Sequence, residues 1–459
     1  MFSAFKPRPK FHIFKPAMEA KNNKKTIWAW CMFDWANQSY NLVITSTIFP
    51  AYFVEVTKFN AHGKDTVTFF GHTFVNTVLS NYILGLSYLI VAAILPILTS
   101  IADYRGNKKS YLQLFTWLGS LACFALFFFK PGVGLEIPMI CFGLASIGYC
   151  GGFVFYNSYL PQIATPDQQD AVSAKGFIYG YVGSIVVQVL CFVVVLAPQL
   201  FGITDEWLPA RISFIMVFLW WIGFSVIPFR LLPKGQPNAS SHQYNVLTGG
   251  FKELAKVYGK VKTMPLLKRF LASFFFYSVG VQTIMLVAGN FAAKELHMSE
   301  ESLISIVLII QVVAVPGAIL ASKSSEKYGN VRTLVWLVAV WSVVCFCAYL
   351  ITNAVQFYIA AVVIGIAMGG VQSLSRSTYS KYLPENIPDT ASFFSFYDVT
   401  EKLSIVVGLF CFGLVESLTS EMRNSTLALD GFFILGLIMI IVLAVAEKRT
   451  AKQANAKSA

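Results

Sequence analysis

The sequence predicts an all-α polytopic membrane protein, with twelve transmembrane helices in two pseudo-symmetric six-helix bundles. Three observations carry that prediction. The chain is 56% hydrophobic and only 13% charged over 459 residues, against roughly 25% charged in soluble domains. Apolar windows of about 20 residues, the length that crosses a bilayer, recur twelve times around one long polar break. Loops rich in Lys and Arg alternate with loops that are poor in them, the usual mark of membrane topology. This composition excludes a disordered chain, a collagen-like fibre, a disulfide-stapled secreted scaffold and an ordinary soluble enzyme.

The first six windows lie near residues 27–56, 79–102, 111–129, 137–159, 174–197 and 212–229. The second six lie near 270–290, 303–322, 333–352, 357–379, 391–418 and 427–446. The organisation read from them is a basic tail (1–26), an N-terminal bundle (27–229), a linker (230–269), a C-terminal bundle (270–446) and a short tail (447–459). The linker holds eight Lys/Arg and one acid, Glu253. Its second part sets Phe251, Leu254, Tyr258 and Val261 on one helical face. That pattern fits a basic amphipathic helix lying on the membrane surface, and equally a solvated linker helix.

Basic residues set the orientation. With twelve spans and an internal N-terminus, 29 of the 35 Lys/Arg fall on the inner side and six, such as Lys58 and Arg423, on the outer. Both termini are therefore expected in the cytoplasm, with the chain in a bacterial inner membrane. The net charge of +12 reads as a topology signal and an attraction to anionic lipid, and calls for no nucleic acid. Residues 1–25 carry seven Lys/Arg and no apolar core, so no cleavable signal peptide is expected, and Met18 competes with Met1 as the start. The eight cysteines lie in apolar runs with no CxxC pair, and the five histidines fall in tails, loops or helix ends. Neither a metal site nor a cofactor is expected, and the chain is read as a monomer.

An internal repeat divides the chain six and six. The loop Asp103-Tyr104-Arg105-Gly106-Asn107-Lys108-Lys109 recurs 223 residues later as Glu326-Lys327-Tyr328-Gly329-Asn330-Val331-Arg332. At the same offset, Tyr159-Leu160-Pro161 recurs as Tyr382-Leu383-Pro384. Two matches at one offset, in equivalent loops, indicate duplicated halves.

The Asp103–Lys109 loop resembles the signature of the major facilitator superfamily, an acid-x-Arg-Gly-x-basic-basic turn after the second helix. Other stretches resemble a narrower family, the vacuolar amino-acid effluxers (autophagy-related permeases) and their bacterial relatives. They are Phe33-Asp34-Trp35-Ala36-Asn37-Gln38-Ser39-Tyr40, Phe155-Tyr156-Asn157-Ser158-Tyr159-Leu160-Pro161, and Ser173-Ala174-Lys175-Gly176 with Gly180-Tyr181-Val182-Gly183. In the second half they are Gly369-Gly370-Val371-Gln372-Ser373-Leu374-Ser375-Arg376-Ser377 and Phe393-Phe394-Ser395-Phe396-Tyr397-Asp398. The resemblance implies the major facilitator fold, alternating-access transport, and a cavity lined by the first, fourth, seventh and tenth helices. It implies the substrate only weakly.

Candidate site residues follow from spacing. Asp34, Asn37, Gln38, Asn41 and Thr45 share one face of the first span, and polar groups there must face protein or water. A polar seam between helices is the plainer alternative. Asp34, about 10 Å in at the helical rise, is a candidate proton carrier or the partner of a cation. In the tenth span, Gln372 and Arg376 lie at i, i+4, with Gly365 and Gly369 on the same side. Arg376 could hold a carboxylate bidentately, anchor the inner face, or pair with Asp34 or Asp398. Tyr149, Tyr156 and Asn157 in the fourth span, and Tyr277 and Gln282 in the seventh, complete the candidate cavity. The substrate-binding set is thus Asp34, Asn37, Gln38, Asn41, Asn157, Gln282, Gln372 and Arg376.

The gating and coupling set is Asp103, Arg105, Gly106, Lys109, Asp398, Glu401 and Lys402. Asp103, Arg105 and Lys109 are expected to meet the start of the eleventh span or the neighbouring loop when the cavity faces outward, and Asp398 with Lys402 to form an i, i+4 pair in an inner gate. Gly176, Gly180 and Gly183 read as a close helix contact. No P-loop is present, and no buried Ser/Cys–His arrangement supports an enzyme. The chain is read as a secondary active or facilitative transporter of a small polar organic solute, amino acids first, with protons as candidate coupling ion. Export of a drug-like or lipid-like amphiphile is the rival within transport, and a non-transporting sensor or scaffold the rival outside it.

Overall fold

Long apolar windows commit the backbone to helices, since only helices satisfy every N–H and C=O within one segment in lipid. The computed structural model describes residues 21–235, 246–384, 387, 389–419 and 421–458. The greater part of the basic N-terminal tail therefore lies outside the described residues. Among the described residues, eleven helices are long and apolar enough to span a bilayer: Lys24–Asn60, Asn76–Arg105, Glu136–Ile163, Gln169–Leu196, Leu208–Leu231, Pro265–Leu296, Ser302–Tyr328, Asn330–Leu350, Ala354–Tyr382, Thr390–Thr419 and Met422–Thr450. The twelfth, Lys108–Leu126, is third in order. It is shorter and opens on two lysines, but packs between the fourth and sixth spans like its neighbours. Below, spans are numbered first to twelfth in chain order.

Local chemistry sets the helix ends. Asn23 caps the first span by accepting from the N–H groups of Lys25 and Thr26, satisfying donors the helix cannot. Asn353 caps the tenth in the same way, through Gln356 N–H. The second span stops at Gly106 with φ 69°, and Gly329 in the repeated loop has φ 87°, backbone that favours glycine. This gives the shared glycine of the two loops a physical reason.

Two features escaped the periodicity. The middle of the first span, Tyr40–Thr47, is a π-helix, a widened turn often found at functional sites. Pro50 follows and cannot donate to the carbonyl four residues back. Ser46 and Thr47 turn their hydroxyls onto the carbonyls of Asn41 and Leu42 at 2.9 and 2.8 Å. The second feature is a short hairpin after the first span, Thr66–Phe69 paired antiparallel with His72–Val75.

Large apolar side chains such as Trp336, Phe410 and Ile438 point outward, as lipid-facing residues do. Inside each half, helices meet at glycines. A Cβ on Gly183 would sit 2.6 Å from the Trp35 carbonyl oxygen, and Gly365 faces the Ile310 backbone as closely. Gly365 and Gly369 therefore seat the tenth span on the eighth. Gly183→Ala should force the first and fifth spans apart at a cost of about 1–3 kcal/mol. Gly223→Ala, with nothing within 4 Å, should leave the melting temperature unchanged in the same thermal-unfolding assay.

The linker helix, Val246–Lys262, is docked on the protein by a stripe that shares only Val261 with the apolar face read from its sequence. Gly249 lies against Tyr104 and Gly250 against Ile101 of the second span, while Glu253, Val257 and Val261 are buried. Phe251 and Tyr258 remain exposed on the outer side. The helix thus ties the end of the second span to Asp389, just before the eleventh, through Lys260 at 2.8 Å and Lys256 at 3.7 Å.

This junction has a defined pH window. Burial raises the Glu253 carboxyl above its ordinary range, so docking weakens as pH rises through that raised value. For Asp389 burial acts upward too, but the hydrogen bond from Lys260 and the nearby lysines outweigh it and hold the carboxyl low. Its contribution is present above the ordinary carboxyl range and is lost as pH falls through the lowered value. Docking should be tightest between the two. Glu253→Gln should remove the alkaline limb and leave the acid limb, read as amide exchange protection of residues 257–262 against pH.

Candidate functional site

Hydrogen bonds that join the two halves gather at one end, the end that carries the linker helix. The fifth span packs on the eighth and tenth, and the second on the eleventh. Asp103 caps the eleventh span across this boundary. Its carboxylate accepts from Ser392 N–H at 2.6 Å, Ser392 Oγ at 2.7 Å and Ala391 N–H at 3.3 Å. An acid at a helix N-terminus also suits the helix dipole. Lys108, buried beside it, donates to Gln162, and Gln162 donates to Thr390 at 3.0 Å. Lys109 bonds the Leu232 carbonyl of the linker at 2.7 Å and Arg105 is exposed, while Asp103 and Lys108 reach the start of the eleventh span.

The second half mirrors this seal. Asp170, in the first turn of the fifth span, accepts from Asn330 at 2.7 Å, Ser325 at 2.9 Å and Lys381 at 2.6 Å. Asn330 lies in the loop that repeats Asp103–Lys109, and Ser325 immediately precedes it. The same pair of elements therefore closes twice, with the acid on the loop side once and on the helix side once. Nothing in the spacing of Asp170 marked it.

Deeper in, the ends of the first, fourth, fifth and tenth spans meet at Arg376. Its side chain is 1% exposed. Nη1 donates to Asp34 Oδ2 at 3.4 Å and Asn157 Oδ1 at 3.1 Å; Nε donates to Ser173 Oγ at 2.9 Å and Nη2 to the Ser173 carbonyl at 2.7 Å. The guanidinium lies 4.1 Å from the Phe177 ring and 4.8 Å from Trp30, a cation–π enclosure. Tyr156 donates to Asp34 at 2.6 Å. Ser173 Oγ in turn bonds the Ser373 carbonyl at 2.8 Å. Gly176 lets this form: a Cβ there would meet Trp30, Tyr156 and Arg376 within 2.9 Å.

Asp34 and Arg376 are joined here and buried. Of the alternatives open for Arg376, its pairing with Asp34 is the one this conformation displays. Asn37 is buried next to them, and neither of its polar side-chain atoms has a partner among the described residues. Beyond this layer the first span opens. Gln38, Asn41 and Thr45 are partly exposed and Ser46 is exposed. Tyr149 donates to Gln38 at 3.0 Å and Tyr181 to Gln372 at 2.6 Å, the second bond joining the fifth span to the tenth.

A second charged group stands apart from the first. Asp398, Glu401 and Lys402 lie 8 to 12 residues into the eleventh span, about 12–18 Å along it, near mid-helix rather than at the inner gate. Lys402 sits 3.5 Å from Asp398 and 3.3 Å from Glu401, and Gln282 of the seventh span donates to Glu401 at 2.6 Å. The deeper charged members of the sequence-derived set thus fall in two places: Asp34 and Arg376 with Asn157 in the seal, and Asp398, Glu401 and Lys402 with Gln282 at mid-depth.

Comparison with known proteins agrees with this architecture. The family model described as "Vacuole effluxer Atg22 like" matches residues 22–455. The chain is 28% identical over 419 residues to the uncharacterized MFS-type transporter YxiO of Bacillus subtilis, covering 90% of this chain and 93% of that one. Autophagy-related protein 22 of Kluyveromyces lactis is 27% identical over 415 residues, covering 83% and 79% of the two chains. Among solved structures, the E. coli fucose:proton symporter FucP superposes with a TM-score of 0.65 over 91% of this chain and 98% of its own, at 13% identity. Two six-helix halves sealed at one end, and a family match running the length of both, make this chain a member of the Atg22-like family of major facilitator transporters.

Proposed function

We propose that the chain carries a small polar organic solute, an amino acid first among them, across a bacterial inner membrane by a rocking of its two halves. The boundaries 27–229 and 270–446 are the moving bodies in this reading, with 230–269 as the strap between them. The linker end, with both termini, faces the cytoplasm, as the concentration of Lys and Arg there favours. The conformation described is then the one closed to the cytoplasm. Transport requires the Asp103, Asp170 and Arg376 contacts to separate together.

One observation carries the reading: the buried Asp34–Arg376 pair bridges two halves that share few other charges at that depth. A buried ion pair is an inefficient way to add stability, and it suits a joint that must re-form in one geometry at each cycle. Protons are the coupling ion proposed, because a carboxylate inside the bilayer is a natural carrier. The test is uptake of an equimolar mixture of 14C-labelled L-amino acids by proteoliposomes of the purified chain. Accumulation above protein-free liposomes, stimulated by an imposed pH gradient, is the expected result. Equal counts with and without protein would refute it, and stimulation by an amphiphilic drug alone would favour the rival substrate class.

A further inference from the structure

We propose that Glu401 and Lys402 form the clamp for a zwitterionic solute, Glu401 taking its ammonium and Lys402 its carboxylate. The inference rests on the amino-acid reading above and moves its charge recognition away from Asp34 and Arg376. Those two are engaged with each other, Tyr156, Asn157 and Ser173, and are almost fully enclosed. The side chains of Glu401 and Lys402 keep 20% and 10% exposure, side by side on one helix near mid-depth.

The charges in this cluster do not balance. Two carboxylates share one ammonium at 3.3 and 3.5 Å, longer than a tight charge-assisted bond. Asp398 is 2% exposed, and its Oδ2 has no hydrogen-bond partner among the described residues. An unpaired acceptor on a buried carboxylate is costly, and an incoming ammonium is the group that would satisfy it. Among the described residues no second cation is paired with this cluster: Gln282 reaches Glu401 from the seventh span, and Tyr88 of the second lies 5.6 Å from Lys402. A ligand bringing an ammonium and an adjacent acid would pair Glu401 and Asp398 with the first and draw Lys402 to the second.

Binding of the labelled amino-acid mixture to the full chain in nanodiscs tests this, with unlabelled competitors. N-acetyl amino acids and amino-acid amides, each lacking one charge, should compete at least tenfold more weakly than the parent amino acids. Glu401→Gln and Lys402→Met should weaken binding tenfold to a hundredfold, while Lys402→Arg retains most of it. Methylamine or sodium displacing the label as well as amino acids do would overturn the zwitterion clamp in favour of a bare cation site. So would undiminished binding in both Glu401→Gln and Lys402→Met, with the amino-acid reading left intact. No binding of amino acids by the unaltered chain would overturn both. The competitor series needs no variant, so it decides even where a substitution unfolds the chain.

Discussion

Arg376→Met is expected to abolish transport and to cost about 3–5 kcal/mol of stability, the usual penalty for leaving one partner of a buried pair alone. The loss is this large because one guanidinium serves four acceptors on three helices. Arg376→Lys should rescue little, since a single ammonium cannot reach Asp34, Asn157 and the Ser173 carbonyl together. A double change, Asp34→Asn with Arg376→Met, removes both charges and should regain most of the stability. It should not regain transport, because closure then lacks the pair that fixes its geometry. Thermal unfolding and uptake, measured on the same three variants, separate the two effects. Full activity in Arg376→Lys would reduce Arg376 to a positive anchor.

The second large effect is expected at Asp103. Asp103→Ala strips the cap from the eleventh span and leaves the buried N–H groups of Ala391 and Ser392 without an acceptor. Losing the cap costs about 1–2 kcal/mol. That is roughly five- to thirtyfold in the balance between closed and open states, since 1.4 kcal/mol is tenfold. A cysteine at Ser395, buried behind the seal, should react faster with an impermeant maleimide added from the linker side. Transport should fall although the protein remains in the membrane. An unchanged labelling rate would mean that the loop matters only for topology.

Much of this architecture was legible in the sequence, for physical reasons that can be named. Twelve apolar windows had to become helices because lipid offers the backbone no partners. The repeated loop had to contain a glycine because Gly106 and Gly329 both take positive φ. Asp103 was legible because an acid beside a tight turn suits a neighbouring helix N-terminus. Other features depend on three-dimensional contact and left no trace in spacing. Asp170 closes the second half of the seal through residues 155 to 211 positions away. Lys108 was hidden among basic residues read together as a topology signal. The π-turn at Tyr40–Thr47 interrupts a face that looked regular at 3.6 residues per turn. The linker helix buries Glu253 and two valines rather than its aromatics, because Gly249 and Gly250 permit close approach on that side only.

The most direct measurement of the account crosslinks the seal. Gln162 and Thr390 touch across the two halves. Cysteines at these positions, in a chain whose eight native cysteines are replaced, can be bridged by a short bis-thiosulfonate. The account predicts that uptake of labelled amino acids stops on crosslinking and returns on reduction, since the halves must part at this end in every cycle. Uptake that continues at the uncrosslinked rate with the bridge in place would contradict it.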